Sequence, residues 1–165
     1  MVYDIILGRN ESDKKKFGKE GLILLGKHYV KMGETTSLSN KVYLDMARPH
    51  VILLSGKRGS GKSYSLGTIF EGMLDLPDKV RNNLSIIMVD TMGIYWTSKF
   101  PNTKQEGILK KWGLKAKGSK ITVYVPKKYF KQHKDSGLIA DRPLSIKPSE
   151  LSAFDWASMF NINIT

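Results

Sequence analysis

The residues best suited to chemistry are Gly56-Lys57-Arg58-Gly59-Ser60-Gly61-Lys62-Ser63. They fill every fixed place of the pattern G-x-x-x-x-G-K-[ST], and the chemistry is the holding of a polyphosphate. Glycine at 56, 59 and 61 admits backbone conformations closed to other residues, so successive N–H groups can turn toward one anion. Lys62 brings an ammonium to the β- and γ-phosphates. The Ser63 hydroxyl belongs in the shell of a magnesium ion bridging those same phosphates. With Tyr64 directly behind, Gly56 to Tyr64 is the expected binding segment, and ATP with Mg2+ the expected ligand.

Such a loop must sit between a buried strand and a helix. Val51-Ile-Leu-Leu54 supplies the apolar run before it, and Leu66, Ile69, Phe70, Met73 and Leu74 recur behind it at helical spacing. A second near-continuous apolar run, Leu84-Ser-Ile-Ile-Met-Val-Asp90, has the pattern of a parallel strand covered on both faces. Strand, helix, strand makes a βαβ unit, and the predicted class is α/β with a parallel sheet. Asp90 falls at the carboxyl end of the second strand, where ligands sit in open α/β sheets. It is therefore a candidate, with Lys62, for the catalytic step, and with Ser63 for the metal. A turn or capping aspartate fits the sequence equally.

The first fifty residues read as a small β-rich leader: Tyr3 to Leu7 and Gly21 to Met32 as strands, the second broken by Gly26, then a turn over 33–40 and a strand over Lys41 to Met46. Two or three short strands are marginal alone, so the leader is expected to pack on the nucleotide domain or a neighbouring subunit. Gly8 to Lys19 reads as a polar loop. The domain boundaries follow as 1–48 for the leader and 49–165 for the nucleotide core. Downstream, Gln105 to Trp112 suggests a short helix, Lys120 to Pro126 a strand stopped by proline, and Lys127 to Arg142 a basic loop. Ser152 and Asp155 mark the start of a last helix.

With 165 residues, 41% of them apolar and 25% charged, the chain can bury one core. It contains no cysteine, which removes disulfides, thiolate metal sites and cysteine nucleophiles. His28, His50 and His133 are too dispersed to suggest a metal site. No apolar run is long enough to cross a bilayer, and the N-terminus lacks the features of a signal peptide; the expected location is cytoplasmic, with no membrane partner. The formal charge of +12 is concentrated: ten lysines lie from Lys104 to Lys134, against the single acid Glu106. That density invites a polyanion, nucleic acid above all, and a solvated lysine-rich surface explains it equally well.

Beyond Asp90 no further apolar strand ends in paired acids, as motors with an additional strand require. Either Asp90 itself is the acid, or the chain is the front part of something longer, as its ending Asn-Ile-Asn-Ile-Thr165 suggests.

Taken together, these residues resemble the FtsK/HerA superfamily of DNA-pumping ATPases, and archaeal HerA-like enzymes in particular. Pro49-His50 precedes the apolar strand and Gly-Ser-Gly-Lys-Ser63. Asp90-Thr-Met-Gly-Ile-Tyr95 is similar to the Asp-Pro-His-Gly-Glu-Tyr element of those enzymes, and Ile146-Lys-Pro-Ser-Glu-Leu-Ser-Ala-Phe-Asp-Trp156 looks like their Pro, Leu-Ser, acidic-Trp helix start. The resemblance runs from about Gly26 onward. It implies a RecA-like core, a barrel-like N-terminal portion, a homo-oligomer in the form of a hexameric ring, and ATP hydrolysis coupled to movement along duplex DNA without regard to sequence. Lys57-Arg58 stands where Thr-Thr is usual, Met92 and Ile94 where His and Glu are, and the family's Walker B acid and arginine finger have no counterpart. Two other functions fit the P-loop: a kinase whose basic stretch clamps a phosphorylated acceptor, and a nucleotide-binding module without turnover.

Overall fold

A computed structural model describes residues 3–163; the chain ends, including the Ile164-Thr165 terminus, lie outside the described residues. The chain is mixed α/β and divides into two compact units, one up to Ser119 and one from Lys120.

The first unit begins with β1 (Ile5–Leu7), α1 (Glu11–Phe17), β2 (Leu22–Met32) and β3 (Thr35–Asp45). The sheet order is β1-β3-β2, with β2 and β3 an antiparallel hairpin and β1 parallel to β3. The hairpin turns at Gly33-Glu34, so Thr35 to Asn40 is strand where a turn was expected. Its threonines and alternating pattern suit a half-exposed strand; Thr35 to Leu38 are paired with Met32 to Tyr29, and Ser39 and Asn40 fall at a register shift before Lys41 resumes the ladder. Gly26 does break the pairing: the register shifts between Leu24 and Gly26.

A helix, α1, replaces the loop expected over Gly8 to Lys19. Asn10 caps it by accepting from the Asp13 N–H at 2.8 Å, and the Gly18 N–H closes it on the Lys14 carbonyl at 2.9 Å. With almost no apolar residue in it, the helix carries no periodicity to read.

What fixes α1 is a buried ionic cluster. Arg9 and Asp45 form an ion pair with no side-chain exposure on either partner. The Arg9 guanidinium also donates to the Gly18 and Glu20 carbonyls, at 2.7 and 2.6 Å. Asp45 accepts from the Ala47 N–H at 3.0 Å and meets His50 Nε2 at 3.3 Å. Arg48 holds Asp13 through two nitrogens, at 3.2 and 2.8 Å. Burial pushes the Asp45 carboxyl up, but its bonds from Arg9, Ala47 and His50 outweigh that and hold it below the usual carboxylate range. The Arg48 hydrogen bond does the same for Asp13.

The leader packs on the helix after the P-loop, α2 (Lys62–Leu74). Ile23, Leu44 and Leu76 form the buried cluster, with Ile69 and Met73 of α2 and Leu25, Met46, Val80 and Leu84 packed against it. Approach is close at Gly72, where a Cβ would lie 3.1 Å from that of Ile23.

The apolar runs expected to be parallel strands are extended but unpaired. Neither 51–54 nor 84–90 carries a ladder among the described residues. Val51, Leu53, Ile87 and Val89 are almost fully exposed. A covered parallel strand needs a neighbour at each edge and a layer on each face, and strand propensity alone supplies neither.

After α3 (Asp78–Arg81), a 3-10 turn covers Tyr95–Lys99 and a second covers Thr103–Gln105, leading into α4 (Glu106–Lys111), the short helix expected there. The second unit contains β4 (Tyr124–Pro126), α5 (Lys127–Asp135), β5 (Arg142–Leu144) and α6 (Ala153–Phe160), with β4 and β5 paired in parallel. Only the last three residues of the Lys120 to Pro126 strand are in a ladder. The basic loop expected from Lys127 is instead the helix α5, begun by Pro126 and seated on the half-buried Phe130 and His133. At α6 the expected start is present as a full capping box between Ser152 and Asp155.

Candidate functional site

The loop before α2 has the backbone its glycines imply. Gly59 and Gly61 take φ of 78° and 84°, and Gly61 occupies the helix N-cap with no side-chain cap, which leaves the first N–H groups of α2 open to an anion. At Gly56 the demand is space: a Cβ would fall 2.4 Å from Ser60 Oγ. Gly59, Gly61, Lys62, Ser63 and Tyr64 line a concavity of about 270 Å³. Pockets that enclose a drug-sized ligand run from about 300 to 1,000 Å³. The hollow is open and shallow, and it lies at the N-terminus of α2.

Lys62 folds back over the loop, its ammonium donating to the Gly56 and Lys57 carbonyls at 2.8 and 2.7 Å. Those bonds hold the side chain against the loop that would carry the phosphates, and an incoming phosphate oxygen offers the ammonium a stronger, charged acceptor. Lys57, Arg58 and Ser60 are exposed in the loop. The Tyr64 hydroxyl donates to Gln105 Oε1 at 3.4 Å.

Asp90 has two different oxygens. Oδ2 accepts from the Tyr95 N–H at 2.7 Å, so one oxygen does act as the turn cap that the sequence allowed. Oδ1 is buried with no hydrogen-bond partner among the described residues. The Tyr95 hydroxyl in turn donates to the Ser63 carbonyl at 3.3 Å. Tyr95 thus links the two residues expected to serve the metal. Its signal in the sequence is its place at the end of the Asp90-Thr-Met-Gly-Ile-Tyr element, to which spacing alone assigns no task.

A hydroxyl and an orphaned carboxylate oxygen are hard oxygen donors of the kind Mg2+ takes. Among the described residues no group of three or more His, Asp or Glu side chains could hold a metal unaided. A cation here would be shared between protein and phosphate oxygens.

The lysine-rich stretch is divided between the units. In the first, Lys110 pairs with Glu106 at 3.1 Å and Lys117 with Asp75 at 2.7 Å. In the second, Lys127, Lys128, Lys131 and Lys134 are all exposed on α5. Positions 127, 131 and 134 recur at i, i+4 and i+7 and so form one stripe. No described helix is long and apolar enough to cross a membrane.

A glycine-rich loop opening onto a helix N-terminus in a mixed α/β chain defines a P-loop NTPase. The family model described as "Helicase HerA, central domain" matches residues 30–165, and the chain belongs to that family, the ATPase module of HerA-like proteins. Neither a curated protein nor a solved structure gives a significant match.

Proposed function

We propose that this chain is the ATP-binding portion of a HerA-like ATPase that moves along duplex DNA, working in the complete protein as a homo-oligomeric ring with a RecA-like sheet. Within it, residues 1–48 are the leader and 49–165 the nucleotide core. The observation that carries the reading is the P-loop itself, with two glycines in the left-handed region, an uncapped helix N-terminus behind them and Lys62 bent over the loop. In this reading Gly56 to Ser63 hold the phosphates through backbone N–H groups, and Lys62 leaves its carbonyls for the β/γ-phosphates. Ser63 and Asp90 hold the magnesium ion, which when bound neutralises charge developing on the phosphates. Asp90 Oδ1 is also available to orient a water.

DNA is assigned to the lysine stripe of α5. Each phosphate neutralised lowers the slope of log affinity against log salt by about 0.9. Replacing Lys127, Lys128, Lys131 and Lys134 by glutamine should flatten that slope by up to about 3.6 if all four make contact, and leave ATP affinity unchanged. Fluorescence anisotropy with duplexes of unrelated sequence reads it. A slope unaltered by the four substitutions means that α5 is only a solvated surface and that the DNA assignment is wrong.

A further inference from the structure

The 3-10 turn Tyr95–Lys99 lies along one stripe of the P-loop helix. Ser63, Gly67 and Glu71 recur at i, i+4 and i+8 on α2 and so share a face. Tyr95 donates to the Ser63 carbonyl at 3.3 Å, its ring edge would touch a Cβ at Gly67 at 3.8 Å, and the Ser98 hydroxyl donates to Glu71 Oε1 at 3.1 Å. Within the turn, Thr97 Oγ1 donates to the Ile94 carbonyl at 2.7 Å and Trp96 Nε1 to that of Gly93 at 2.9 Å. The Ser119 N–H fastens it further, on the Ser98 carbonyl at 2.7 Å. Its first residue donates its N–H to Asp90 Oδ2, so the turn reaches from the P-loop helix to the carboxylate, whose second oxygen is buried and has no partner among the described residues. A buried carboxylate oxygen without a donor is costly to keep, and such an atom at a phosphate site calls for a cation or a water.

We propose that Tyr95 is a positioning residue for the metal. Through its N–H and its hydroxyl it sets the free oxygen of Asp90 relative to Ser63, so the part of nucleotide affinity that depends on magnesium runs through Tyr95, whereas the part held by Lys62 and the loop N–H groups does not. This rests on the nucleotide reading of the P-loop. Asp90 does not ligate the metal through Tyr95; Tyr95 only fixes where the carboxylate stands.

Titration calorimetry of the full chain separates the two parts, with ATP in excess magnesium and with ATP in excess chelator. Tyr95→Phe keeps the ring and the N–H and removes one hydrogen bond, so affinity with magnesium should fall about 2- to 10-fold while metal-free affinity and melting temperature stay as in the wild type. Asp90→Asn should lose more of the magnesium-dependent gain, and Tyr95→Phe added to it should lower that gain no further. A merely structural role for Tyr95 predicts loss in both titrations and a lower melting temperature, which would overturn the proposal. So would an effect of Tyr95→Phe that simply adds to that of Asp90→Asn, or no effect on the magnesium-dependent part while the wild type binds normally. A wild-type chain that binds no nucleotide in either titration overturns the P-loop reading and this inference with it. Emission from Trp96, in a chain with Trp112→Phe and Trp156→Phe, gives a second readout on the turn itself: a change on adding magnesium and ATP that Asp90→Asn abolishes supports the coupling, and one that survives Asp90→Asn contradicts it.

Discussion

The leader and the P-loop segment lie in one unit and are held in opposite ways. The leader is closed on itself. Its hairpin is paired along nearly its whole length, and Arg9, Asp45, Arg48, Asp13 and His50 satisfy one another in and around a dry cluster. The P-loop segment has the local backbone its glycines imply, yet it stands between two apolar runs that carry no ladder among the described residues and in which Val51, Leu53, Ile87 and Val89 are exposed. Its order comes from its glycines and from α2, which leans on the leader at Ile23. The comparison teaches that a phosphate-binding loop is a local structure, specified within about ten residues by conformations that only glycine adopts readily. A parallel sheet is a distant agreement among many segments.

If stability resides in the leader, its cluster is where the unit breaks most easily. Arg9→Ala removes the guanidinium from the buried Asp45 carboxylate, leaving it the Ala47 N–H and His50, and should cost about 3–5 kcal/mol, read as a large drop in melting temperature. Acid should act on the same place. The carboxyls of Asp45 and Asp13 are held below their unfolded value of about 3.9. Their contribution is therefore fully present above that value and is lost as the pH falls through the lower folded values. Circular dichroism should show the unit intact at pH 5 and unfolding below about pH 4. Unfolding that sets in well above that range would place the weak point elsewhere.

A smaller effect sharpens the contrast. Ile23→Ala removes a buried side chain and should cost about 2–5 kcal/mol, whereas Leu53→Ala, at 88% exposure in the unpaired run, should change stability by no more than about 0.5 kcal/mol. Equal losses in chemical denaturation would mean that the apolar run is buried in solution.

What could be read from the sequence follows the same division. The P-loop, α2, α4 and the capping box of α6 were legible because each is signalled by a few neighbouring residues with fixed tasks. α1 and α5 were not, since their charged sequences hide the few contacts that seat them, Asn10 and Gly18 in one case and Phe130 and His133 in the other. The strand reading of 51–54 and 84–90 failed at pairing, which no run specifies by itself. At the site, residue type makes Lys62, Ser63 and Asp90 candidates. Tyr95 carries no such signal, because the part proposed for it depends on a 3-10 turn folding back onto the P-loop helix, and the Arg9–Asp45–His50 cluster joins residues up to 41 positions apart whose charges look like ordinary surface.

The central claim, that the loop from Gly56 to Ser63 holds the phosphates of ATP, is tested most directly by calorimetric titration of the wild type and Lys62→Ala with ATP and magnesium. The ammonium and the loop N–H groups act on one phosphate cluster, so losing a charge-assisted contact of about 1.5–3 kcal/mol should weaken binding about 10- to 100-fold. The fold should be undisturbed, because Lys62 is partly exposed and its ammonium bonds to carbonyls of its own loop. Equal affinity in the two proteins would contradict the claim.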